Sequence, residues 1–132
     1  EVQLCTWKHW LATHPETDVV LPGPDDERRI KQFSYSRYLL SPRLDFPVAR
    51  WREPGDMAAK TPVIVLRRGE AWKEILLADA AKGMPSFELG DATIEVDAQA
   101  QPASVLFRTR DGSPLLVTPC LHFARMAFTP RR

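Results

Sequence analysis

Twelve prolines punctuate a chain of 132 residues, at positions 15, 22, 24, 42, 47, 54, 62, 85, 102, 114, 119 and 130. Proline fixes φ, lacks an amide proton and breaks a helix interior. Spread this evenly, it forbids long helices and favours short elements joined by stiff loops. Only six glycines accompany the prolines. The length suits one domain, expected over residues 1–132, or a piece of a larger one. That is enough chain to bury a modest core without staples.

Net charge is +1, from 18 Lys and Arg against 17 Asp and Glu. No basic block stands apart from compensating acids, which argues against nucleic acid as a partner. No apolar run reaches the roughly 18–20 residues of a transmembrane helix. The start at Glu1, inside a strand-like EVQL, reads as a processed, trimmed or excerpted chain.

The elements follow from local pattern. Trp7, Trp10, Leu11 and His14 recur at helical spacing, and Pro15 stops the helix they predict. DVVL at 18–21 predicts a short strand. PGPDDERR at 22–29 predicts an exposed turn, and 30–48 an irregular segment whose Phe33, Tyr35 and Phe46 line the core edge. PVIVLRRGEAWKEI at 62–75 predicts a hairpin turning at Gly69. LLADAAKG predicts one or two helical turns stopped at Gly83. SFELGDATIEV predicts two strands split at Gly90-Asp91. ASVLFRTRDGSPLLVT at 103–118 predicts a second hairpin at Asp111-Gly112. PCLHFARMAFTP at 119–130 predicts a helix with Thr118 as N-cap and Pro119 in first position. The expected class is α+β, a small and mainly antiparallel sheet with two hairpins and short helices at both ends.

The end segments CTWKHWLATHP and CLHFARMAFTP echo each other. Each runs from a cysteine to a proline ten residues on, with an alanine seven residues after the cysteine. A duplication would pack them as a pseudo-symmetric pair. Cys5, His9, Cys120 and His122 would then supply two thiols and two imidazoles, the donor types of tetrahedral zinc or of copper. The spacing lacks the short CxxC pair of a secure zinc motif. Two other readings stand beside this one: thiols packed among aromatics, and a Cys5–Cys120 disulfide joining the ends. His14 is expected as a helix C-cap cation.

Phosphate-loop, dinucleotide, nucleophile-elbow and HExxH motifs are absent from the sequence. Asp25, Asp26 and Glu27 read as a solvated loop. Arg67-Arg68 read as a solvent-facing turn. Tyr35, Arg37, Tyr38 and Arg43 offer a polar–aromatic surface for a ligand or glycan, or else half-buried tyrosines. Trp51 and Trp72 pack the hairpin or mark a contact patch.

The order of the pieces resembles a known family. Thr6-Trp7, Trp10, His14-Pro15-x-Thr17 and Val20-Leu21 are followed by FSYSRYLL, FPV at 46–48, KTPVIVLRRGEAW and a closing FARMAFTP. From Cys5 to Pro130 this series is similar to the prokaryotic family called domain of unknown function 3179. The resemblance implies a bacterial or archaeal protein, often exported, with no established activity. Family members usually carry an upstream half with Cys-Pro-x-Cys-like and Ser-Leu-Trp-x-Gln segments. The resemblance therefore implies a C-terminal half or a shortened relative. After FPV the family's Asp-x-Arg-Leu is replaced by WREPGD, and its Phe-Ala-Trp by Phe123-Ala124-Arg125.

The resulting expectation is a non-enzymatic binding or interaction module for an unidentified protein or small ligand, periplasmic or extracellular. The alternative is a copper-, zinc- or thiol-redox protein built on the Cys/His set.

Overall fold

Two glycine-led turns organise the strands. The computed structural model describes residues 5–21, 23, 36–45 and 57–128. Strand β1 (Pro62–Arg68) returns as β2 (Ala71–Leu76) through Gly69-Glu70. Strand β3 (Phe87–Leu89) returns as β4 (Ala92–Gln99) through Gly90-Asp91. Gly69 and Gly90 have φ of +56° and +64°. A glycine with positive φ at the first of two loop positions matches the twist of paired strands. Strands β5 (Ser104–Thr109) and β6 (Leu116–Leu121) complete two antiparallel three-stranded sheets, ordered β2-β1-β6 and β3-β4-β5. The helices are α1 (Trp7–Thr13), α2 (Ser36–Leu40), α3 (Leu77–Ala81) and α4 (His122–Phe128). The expected α+β class, with short helices at both ends, is what the chain adopts. No helix among the described residues is long and apolar enough to cross a membrane.

The two sheets share one core. Ile64, Leu66, Ile75 and Val117 come from the first sheet, and Leu89, Ile94, Val105 and Phe107 from the second. Helix α3 packs on strands of both and adds Ala80 and Ala81. Side chains alternate across a strand, so the inward set on β4 and β5 leaves Glu95, Asp97, Ser104, Leu106 and Arg108 on the outer face. Burying Phe107 alone contributes about 1.5–3 kcal/mol.

Five expectations are corrected. Residues 103–118 do not form a hairpin, because β5 pairs with β4 and β6 pairs with β1. The chain turns after Thr109, where Asp111 accepts hydrogen bonds from Ser113 N–H and Oγ–H, and Thr109 Oγ donates to Ser113 O at 2.6 Å. Arg68 fixes the redirected chain, donating to Ser113 Oγ at 2.7 Å and to Pro114 O at 3.1 Å while pairing with Asp91. It is a joint between the sheets, and only Arg67 is solvent-facing. The last helix starts at His122, not Pro119. Pro119 and Cys120 pair with Ile64 and Val63, and a proline is tolerated there because β6 has β1 as its one strand neighbour among the described residues. Residues 18–21 form no strand, and Val20 is 97% exposed. The end helices sit on different sheets, so they make no symmetric pair. Phe33, Tyr35, Phe46 and Trp51, and the acids at 25–27, lie outside the described residues.

Candidate functional site

Helix α1 is seven residues long, too short to persist alone in water. Thr6 caps it, its hydroxyl accepting from His9 N–H at 3.2 Å, and His14 closes it with N–H donated to Trp10 O. The residue it buries is not on the tryptophan face read from spacing. His9 is 2% exposed, whereas Trp7 is 50% exposed. The reason is a polar anchor on the second sheet. Ser104 Oγ accepts from Thr6 N–H at 2.9 Å and lies 2.7 Å from His9 Nδ1. His9 Nε2 stands 3.2 Å from Asp97 Oδ2, within ion-pair range but off the line of a hydrogen bond. An arrangement that fits these contacts has Ser104 O–H donating to Nδ1 and Nε2–H facing Asp97.

This row of carboxylate, imidazole and serine has the residue types of a hydrolase triad with the two ring nitrogens exchanged, serine at Nδ1 and carboxylate at Nε2. Access decides against that use of it. Ser104 is 0% exposed, and its oxygen already takes the Thr6 amide proton. As placed, the row positions α1 on the sheet.

That docking opens a groove of about 790 Å³ between α1 and the outer face of the second sheet. Trp7, Trp10 and His14 line one side, and Asp97, Leu106 and Arg108 the other. Trp10 is fixed: its Nε1–H donates to Thr17 Oγ at 2.9 Å, and its ring stacks on His14 at 3.9 Å. Asp97 is half exposed. Arg108 and Arg110 both donate to Glu95, at 3.0 and 3.2 Å. These two hydrogen bonds hold the Glu95 carboxyl below its ordinary range.

A second polar cluster lies on the first sheet. Glu74 accepts from His122 Nδ1–H at 3.2 Å and pairs with Arg125. The Arg125 guanidinium lies 4.8 Å over the Trp72 ring. Burial, then the Glu74 charge, raises the Cys120 thiol above its ordinary value, and burial raises Cys5. A thiolate nucleophile needs the opposite shift. Both cysteines are free, so the ends are not joined by a disulfide.

Cys5, His9, Cys120 and His122 are therefore split between two sheets, and each histidine engages its own carboxylate. Among the described residues, no group of three or more His, Cys, Asp or Glu is placed to hold a metal. In the Tyr35, Arg37, Tyr38 and Arg43 set, Tyr35 lies outside the described residues, and Arg37 and Arg43 are exposed. Tyr38 is half-buried under Lys60, whose Nζ sits 3.5 Å from the ring centroid. Lys60 also donates to the Tyr38 and Ser41 carbonyls, closing the C-terminal end of α2. Sequence reasoning missed Asp97, Ser104 and Leu106. The alternation of 103–109 is visible in the sequence, but nothing local shows that β4 is its partner or that a helix from the other end of the chain covers its outer face.

A family model described as "Protein of unknown function (DUF3179)" matches residues 1–119. The match includes α1 and both sheets up to Pro119, and leaves FARMAFTP beyond its end. No curated protein and no solved structure matches the chain.

Proposed function

The chain belongs to the DUF3179 family, and from that premise we propose that it is a non-enzymatic binding module whose ligand occupies the α1 groove. One observation carries this reading: a half-exposed indole and a half-exposed carboxylate, Trp7 and Asp97, face one groove whose walls are locked together by a buried polar anchor. A preformed concave site with aromatic walls and few polar groups is the common form of a small-molecule site. Burial raises the Cys5 thiol beside the groove, which supports binding over thiolate chemistry there.

The test is a thermal-shift screen of a mixed fragment set on the full chain and on Trp7→Ala. A ligand at about 100 times its Kd stabilises by about 2.7 kcal/mol, a rise of several degrees. Hits that stabilise the parent chain and lose at least half their shift in Trp7→Ala support the groove. Hits that act equally on both proteins, or no hits, contradict it.

A further inference from the structure

The groove's charges are already balanced. On the outer face of the second sheet stand two carboxylates, Glu95 and Asp97, and two guanidiniums, Arg108 and Arg110. Glu95 takes both arginines, and Asp97 stands 3.2 Å from His9 Nε2. The groove lining itself holds one carboxylate, Asp97, and one guanidinium, Arg108, so it has no formal net charge to draw in an anion or a cation, and a charged ligand would lose hydration on entry. A wholly apolar ligand would strip water from Asp97 without replacing its hydrogen bonds. The occupant that suits both constraints is neutral, with an apolar face for the Trp7 ring and hydroxyls along its edge for Asp97 and Arg108. A pyranose ring has that division of surface, and an open groove leaves the ends of a short chain free.

Resting on the binding-module reading, we infer that the α1 groove takes a neutral carbohydrate, stacked on Trp7 and hydrogen-bonded at its edge by Asp97 and Arg108. Trp7 provides the platform because its indole is half exposed. Trp10 is occupied by His14 and Thr17 and serves as a wall.

The experiment follows the tryptophan indole cross-peaks of the ¹⁵N-labelled full chain by NMR. Maltotetraose, chitotetraose and mannotetraose are each titrated to about 10 mM, beside a panel of charged and aromatic fragments. The expected result is saturable movement of the Trp7 indole and the Leu106 amide with at least one oligosaccharide. Trp7→Ala should weaken that binding at least tenfold. Arg108→Ala, a change at a mostly exposed residue, should weaken it severalfold. Trp72→Ala, an exposed indole on the other sheet, should leave it within twofold. If fragments move Trp7 and no oligosaccharide does, the carbohydrate assignment falls while the groove reading stands. If no probe moves Trp7, both fall.

Discussion

At the scale of single residues, His9 holds the account together. It is the one buried residue of α1, and its Ser104 partner lies 95 positions away in sequence. His9→Ala leaves a fully buried hydroxyl without its acceptor and removes the imidazole facing Asp97. A buried polar group left unsatisfied costs about 1–3 kcal/mol, so we expect a loss of about 2 kcal/mol by chemical denaturation. Ser104→Ala should cost about 1–2 kcal/mol. The double variant should cost less than the sum, because both changes break one network; strict additivity would show that the two residues act independently. A heptad-like reading of α1 favours Trp7, Trp10 and Leu11 as its buried face, since apolar spacing is all that a local window contains. The side chain that wins is polar, because the surface it meets presents Ser104 and Asp97. The cysteine–histidine pattern singled out His9, but its partners come from strands that no spacing rule connects to it.

At the scale of elements, short loops with glycine in the required place were legible, and long-range pairing was not. Gly69 and Gly90 each lead a two-residue turn with positive φ. A side chain there costs roughly 1–2 kcal/mol in left-handed backbone. Gly69→Ala opens into free space, whereas a Cβ at Gly90 would stand 3.4 Å from Ala71 Cβ. Both variants should lose about 1 kcal/mol or more in urea melts, with Gly90→Ala no milder than Gly69→Ala. The 103–118 segment carries a hairpin-like Asp-Gly, yet its turn feeds a different sheet. Six residues separate β5 from β6, and Arg68 holds them from outside. Asp111 is the pH-sensitive member of this turn. Hydrogen bonds from the Ser113 side chain and backbone pull its carboxyl down to about 2 from an ordinary 3.8. Because the folded value lies below the unfolded one, its stabilising contribution is complete above about pH 4 and fades as pH falls toward 2. An Asp111 carboxyl signal titrating near 2 by NMR, with Asp111→Ala flattening the acid limb of the stability curve, is the expected pair of results. Titration near 3.8 would deny the turn this role.

At the scale of the whole molecule, the sheets define one shared core and one covered outer face. Phe107 sits on the inner side of that arrangement and Leu106 on the outer. Phe107→Ala should cost about 3–5 kcal/mol; a cost under 1 kcal/mol would contradict the packing of one sheet on the other. The α+β class was legible from alternation and turn chemistry, because those signals are local. The division into two sheets was not, since it depends on β1 choosing β6 across the nearly fifty residues between Arg68 and Leu116, with β2 on its other edge. A separate long-range contact, Thr6 and His9 to Ser104, sets α1 on the outer face of the second sheet and makes the groove. The most direct check is a chemical-shift map of the ¹⁵N-labelled full chain against the pooled fragment set. The account predicts shifts centred on Trp7, Trp10, Asp97, Leu106 and Arg108. Shifts centred instead on Trp72, Glu74 and His122, with the α1 groove silent, would contradict it.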